Sequence, residues 1–181
     1  MKVIAVIGSK KSGKTMTIEA LIRGLTEKGY TVATVKHVSE KGFTIDTPGK
    51  DTWRHAQAGA KTIIIVAPDE LSMIRKGNTK KLDLQEILAY FSKDVDFVIL
   101  EGFRSMVENK TNIPKIVAIK TLEEAVAAST RFKPTIAFTG KAASTVPHLG
   151  IPVVNILKES EKLVEIVLSC QNHYDAFIKK T

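Results

Sequence analysis

The sequence predicts an α/β fold in three layers, a mostly parallel twisted sheet with helices on both faces. Three observations carry that prediction. A short apolar run, Val3-Ile4-Ala5-Val6-Ile7, leads through a glycine-bearing loop into a helix-patterned segment and then a β-branched one. Such an opening is a strand–helix–strand unit with a parallel, right-handed crossover. Unbroken apolar runs recur at Thr62-Ile63-Ile64-Ile65-Val66 and Phe97-Val98-Ile99-Leu100, in the manner of strands covered on both faces. Between the runs, apolar residues fall at the three- and four-residue steps of helices.

Strand 1 runs into Gly8-Ser9-Lys10-Lys11-Ser12-Gly13-Lys14-Thr15. Glycine, four residues and Gly-Lys-Thr is the spacing of a phosphate-binding loop. The glycines permit backbone angles that a Cβ would block, so successive amides can curl around an anion. The helix that begins there adds its unpaired N–H groups and positive dipole end. Lys14 supplies a mobile cation for the outer phosphates, and the Thr15 hydroxyl is a hard ligand for Mg²⁺. With a strand before it and a helix after it, the loop places the chain in the three-layer fold of P-loop NTPases.

Helix 1 is expected over residues 14–28, with Ile18, Leu21, Ile22 and Leu25 on its buried face and Gly29 as a left-handed cap. Residues 30–36 read as strand 2. The polar stretch 36–51, bearing glycine and proline, leaves the carboxyl end of that strand. Loops of this length are usually functional, and open parallel sheets bind ligands along this edge. Asp51 suits the N-cap of a helix over 52–58, closed by Gly59. Residues 61–67 should form a strand buried on both faces and ended by Pro68, 71–75 a weaker one, and Gly77-Asn78 a turn. An amphipathic helix over 83–92 precedes a buried strand over 96–102. Two more strands, 115–120 and 134–139, enclose a helix through Glu123-Glu124-Ala125-Val126. A last strand is expected over 151–156, with a closing helix from about Ser160. No internal repeat or linker interrupts the chain, so a single domain over residues 1–181 is expected.

Composition narrows the partners. The 44% hydrophobic and 25% charged fractions are those of an ordinary globular chain. The first apolar run is too short for a signal peptide, and no run reaches the roughly 20 apolar residues of a membrane span. A lone cysteine, Cys170, gives no disulfide framework, so a cytoplasmic setting is expected. The excess of 27 Lys+Arg over 19 Asp+Glu favours polyanions. Its lysines are scattered and its aromatics few, which sets nucleic acid aside as a main partner.

The phosphate loop needs a carboxylate for its metal, at the end of a neighbouring strand. Asp96 and Glu101 flank one apolar run, about 16 Å apart if it is extended. A strand parallel to strand 1 delivers Glu101 to the loop's edge and leaves Asp96 at the far one. Asp46, in Asp46-Thr47-Pro48-Gly49, serves either as a loop carboxylate reaching Mg²⁺ or its water, or as a plain turn residue. Asn109-Lys110-Thr111-Asn112 lacks the Asp of a guanine-reading motif and is rejected. His37, His55, His148 and His173 show no metal spacing. His37 and His55 flank the long loop and either touch a ligand or lie on the surface.

Several runs resemble one known family, the molybdopterin-guanine dinucleotide biosynthesis adaptors called MobB. They are the phosphate loop, Val35-Lys36-His37, the stretch from Ile45-Asp46-Thr47-Pro48-Gly49-Lys50-Asp51 to Ala58-Gly59-Ala60, Leu100-Glu101-Gly102-Phe103-Arg104, and Ile113-Pro114-Lys115-Ile116. The resemblance implies a dimeric, GTP- and Mg²⁺-binding protein that helps a nucleotidyltransferase attach GMP to molybdopterin and hydrolyses GTP only feebly. It also implies that the segment around Asp46 to His55 lies by the nucleotide, and nucleotide contacts are expected at Thr139, Gly140 and Lys141. Where the family tends to place an Asp after that strand, this chain has Gly140-Lys141. A small-molecule kinase or ATP-dependent synthetase on the same fold is the alternative, since fold does not decide function.

Overall fold

The computed structural model describes residues 1–91, 93–147 and 149–170. In chain order its elements are β1 (Lys2–Gly8), α1 (Lys14–Glu27), β2 (Val32–Lys36), α2 (Asp51–Gln57), β3 (Thr62–Val66), β4 (Leu71–Arg75), α3 (Leu84–Leu88), β5 (Phe97–Glu101), α4 (Arg104–Val107), β6 (Lys115–Ala118), α5 (Leu122–Arg131), β7 (Thr135–Thr139) and α6 (Ser160–Ser169). They belong to two compact units. One comprises Met1–His37 with the described residues from Leu88 onward, the other Val38–Ile87.

The first unit is built on a five-stranded, wholly parallel sheet of order β2-β5-β1-β6-β7. β1 lies at its centre, and Val3 to Ile7 are at most 2% exposed. Alternate side chains of a strand point to opposite faces, and both faces here are covered. Ile4 and Val6 pack with Ile18, Leu21 and Leu25 of α1 and with Leu163, Val164 and Val167 of α6. Ile7 shares the other face with Val117 and with Ala128 of α5. Gly24 lets α1 and α6 close on each other, because a Cβ there would stand 2.6 Å from a Val164 methyl. The start of α5 is tied by Thr121, whose hydroxyl accepts from the Glu124 N–H, while the Glu124 carboxylate accepts from the Lys120 N–H.

The second unit holds α2 and an antiparallel hairpin in which β3 pairs with β4, from Thr62 opposite Arg75 to Val66 opposite Leu71. Residues 61–67 therefore do not form a strand buried on both faces. Within the unit Ile63 is buried, whereas Ile64 and Val66 are 59% and 77% exposed. An apolar, β-branched run expresses strand propensity, but it does not specify how many neighbours the strand finds.

Other expectations shift at the edges. The strand expected over 151–156 is reduced to one bridge between Phe138 and Val153. Asp51 is the first residue of α2, and Lys50 takes the cap position without a side-chain bond. The helix expected over 83–92 spans Leu84–Leu88, and Ser92, its expected end, lies outside the described residues. Gly29 does end α1 in a left-handed conformation, φ +84°.

Candidate functional site

β1 ends at Gly8 beneath the phosphate loop. A Cβ on Gly8 would meet the Ala118 carbonyl oxygen at 2.3 Å and the Ser12 hydroxyl at 2.6 Å, so only glycine lets the loop leave the sheet this tightly. Gly13, at φ +106°, turns the chain into α1, and Lys11 also adopts a left-handed conformation, φ +61°. The Lys14 ammonium folds back over the loop and donates to the carbonyls of Gly8 (3.2 Å) and Ser9 (2.7 Å). Burial pushes its pKa below the ordinary lysine value, Arg104 and Lys36 add to that, and Glu101 and Glu124 oppose it. A partly desolvated cation held at a helix start suits a polyphosphate. The hydroxyls of Ser9 and Ser12 are buried without a hydrogen-bond partner, which leaves them as donors for one. Thr15 lies exposed on the first turn of α1, with Lys10 and Lys11 exposed beside the loop.

Glu101 stands at the same edge. It pairs in register with Val6, and the next residue, Gly102, donates its N–H to the Val6 carbonyl at 3.0 Å. Its carboxylate lies 3.5 Å from the Lys36 ammonium. Asp96 sits at the opposite edge, its carboxylate accepting from the Thr31 N–H at 2.9 Å, as a residue that starts a strand. After Glu101 the chain takes two successive left-handed residues, Gly102 (φ +88°) and Phe103 (φ +53°). For phenylalanine this costs about 1–3 kcal/mol. The ring is buried, 5.3 Å from the His37 ring, and that packing opposes the strain. The turn separates Glu101 from Arg104, which opens α4. Phe103 and Arg104 entered the sequence reading only as part of the run Leu100-Glu101-Gly102-Phe103-Arg104, with no role of their own.

Thr139, Gly140 and Lys141 brace the loop from behind. The Thr139 and Thr17 hydroxyls, both fully buried, are hydrogen-bonded at 2.9 Å. The Lys141 N–H donates to the Ser12 carbonyl at 3.3 Å. A Cβ on Gly140 would stand 2.5 Å from that same oxygen and 2.7 Å from the Ile119 carbonyl. The Lys141 side chain remains exposed. Thr17 went unremarked in the sequence, although a threonine on the buried face of helix 1 was the available signal.

Asp46 belongs to the second unit. Its Oδ1 accepts from the Thr47 N–H (3.0 Å) and the Thr52 hydroxyl (2.8 Å), while its Oδ2 is buried without a partner. His55 is exposed on α2, as is His37 after β2. His148 and His173 lie outside the described residues. Among the described residues no three His, Cys, Asp or Glu side chains converge as a metal cluster, and no helix is long and apolar enough to cross a membrane.

Known proteins share this architecture. The sequence is similar to a Methanocaldococcus jannaschii protein, 41% identical over 121 residues, or 66% of this chain and 48% of that one. It is also similar to the Haemophilus influenzae molybdopterin-guanine dinucleotide biosynthesis adapter protein, 33% identical over 63% of this chain and 61% of that one. The chain thus spans about half to three fifths of the length of these two relatives. The crystal structure of Bacillus subtilis MobB superposes with a TM-score of 0.71 at 27% identity, covering 94% of this chain and 98% of that one. The family described as Molybdopterin guanine dinucleotide synthesis protein B, MobB, matches residues 3–138. Joined to a parallel sheet whose central strand delivers a phosphate loop, that match over most of the sequence shows that the chain belongs to the MobB family.

Proposed function

We propose that this chain binds Mg²⁺·GTP on Gly8 to Thr15 and acts as an adapter in molybdenum cofactor biosynthesis. In this reading it assists a nucleotidyltransferase that attaches GMP to molybdopterin and hydrolyses GTP only slowly itself. The observation that carries the reading is the meeting of the phosphate loop, Lys14 and Glu101 at one sheet edge. Thr15 and Glu101 would be the protein's donors to Mg²⁺, which keeps several waters and phosphate oxygens and needs no all-protein cage. A bound Mg²⁺ would offset part of the triphosphate's negative charge. For Asp46 the supporting feature is internal to its own unit, the unpaired buried Oδ2. Thr139, Gly140 and Lys141 serve the nucleotide by fixing the loop's shape, with the Lys141 side chain free to meet it.

The names of the relatives support the adapter role. Exposed apolar residues on the hairpin, Ile64, Val66, Leu71 and Met73, support a homodimer. A cytoplasmic setting accords with a cofactor-assembly role.

Calorimetric titration with GTP and with ATP, each with Mg²⁺, tests the reading. GTP should bind, and Lys14→Ala should weaken it at least about tenfold while the unfolding temperature stays close to that of the parent. Unchanged affinity in Lys14→Ala would overturn the phosphate-site assignment. Rapid nucleotide turnover stimulated by a small acceptor would turn the reading toward a kinase.

A further inference from the structure

On the α5 face of the first unit, beside the start of the phosphate loop, lies a pocket of about 130 Å³. Its floor is apolar, with Val117, Ala128 and Phe132, and it reaches Ser9 at the loop. Its charged groups are Arg104, Arg131 and Glu124. Both guanidiniums converge on the Phe132 ring, Arg104 at 5.4 Å and Arg131 at 5.2 Å from its centroid. Their surroundings differ. Arg131 is neutralised by a bidentate pair with Glu108, both bonds 2.8 Å. Glu124 is occupied at the start of α5, accepting from the Lys120 N–H at 2.7 Å.

Arg104 makes no salt bridge among the described residues. It rests on the ring, within electrostatic reach of Glu108 on one side and of Lys14 on the other. Arg104 is solvent-exposed, so its charge stays hydrated, and its planar fork is open to meet an anion bidentately at the mouth of the pocket. The strained Gly102-Phe103 turn holds Arg104 at this edge, and strain of this kind persists where the surrounding structure enforces it.

We propose that this pocket is a second oxyanion site, adjoining the nucleotide cradle through Gly8 and Ser9, that takes the phosphate group of a small phosphomonoester or free inorganic phosphate, with Arg104 as its principal ligand. Ser9 borders both sites, so an anion here would lie beside the phosphate loop. The site goes beyond the adapter reading and does not depend on which nucleotide the loop prefers.

The test titrates the full chain with inorganic phosphate and with phenyl phosphate, after the loop has been saturated with Mg²⁺ and a non-hydrolysable GTP analogue. Binding should persist in the saturated protein, fall about tenfold or more in Arg104→Ala and recover in part in Arg104→Lys. Glu124→Gln, which can still accept from the Lys120 N–H, should tighten binding severalfold by removing the pocket's own carboxylate. Preference for phenyl phosphate identifies a phosphomonoester site, and equal or tighter binding of inorganic phosphate identifies a site for the free ion. Anion binding that the nucleotide analogue abolishes, or that Arg104→Ala leaves unchanged in a protein that still unfolds cooperatively, would overturn the proposal. Should Arg104→Ala fail to fold, Glu124→Gln decides alone, and unaltered anion affinity in it would also overturn the proposal.

Discussion

Gly140→Ala probes how the phosphate loop is held in shape. Gly140 has φ +99°, and an added Cβ would stand 2.5 Å from the Ser12 oxygen, 2.7 Å from the Ile119 oxygen and 2.9 Å from the Ile119 nitrogen. All three are backbone atoms, so no side chain can swing aside. Gly29 is the matched control, with φ +84° and nothing within 4 Å of its added Cβ. Gly29→Ala should therefore cost only the left-handed strain, about 1–2 kcal/mol. Gly140→Ala should add an overpacking cost of about 1–3 kcal/mol, for a total near 2–5 kcal/mol. That is a large share of the roughly 5–15 kcal/mol that holds a domain folded. Urea denaturation of both variants measures the difference, and nucleotide titration measures its consequence. Because Ser12 must move, Gly140→Ala should also lose nucleotide affinity, whereas Gly29→Ala should not. Equal stability losses with undisturbed affinity in both would refute the view that Gly140 backs the loop.

Two further outcomes follow from named contacts. Lys115 is fully buried, its ammonium donating to the Lys110 (2.5 Å) and Lys133 (2.7 Å) carbonyls, and burial lowers its pKa from 10.5 to about 8. Between those values the unfolded chain keeps a proton that the folded chain has released, so stability should rise with pH across that window, by up to about 3 kcal/mol. Lys115→Met should flatten that rise, and a wild-type profile already flat from pH 8 to 10.5 would contradict the lowered pKa. Glu101→Gln keeps the shape at the sheet edge and removes the charge. It should cut the Mg²⁺ enhancement of nucleotide binding by about tenfold while changing magnesium-free affinity little, as followed by titration with and without the metal. An intact enhancement would remove Glu101 from the metal site.

Much of the site was legible in the chain because its chemistry is local. The loop from Gly8 to Thr15 needs glycines, a lysine and a hydroxyl at fixed offsets, and a strand and helix to hold them, all within one stretch. The place of Glu101 followed from direction alone, because two parallel strands share a carboxyl edge, and the register of Val6 with Glu101 bears that out. The hairpin was misjudged for the opposite reason. Thr62-Ile63-Ile64-Ile65-Val66 has the composition of a covered strand, yet its sole strand neighbour among the described residues is β4.

By itself, then, the sequence determined the glycine-bearing turn from Gly8 to Thr15 and the strand and helix that flank it, since backbone conformation is a short-range property. Only the tertiary structure decided what stands behind and beside them. The order β2-β5-β1-β6-β7, the Thr17–Thr139 hydroxyl pair and the contact of Gly140 with Ser12 join residues far apart in the chain. So does the meeting of Arg104 and Arg131 on Phe132. Such contacts depend on which apolar faces pack together, and periodicity states that a face is apolar without naming its partner.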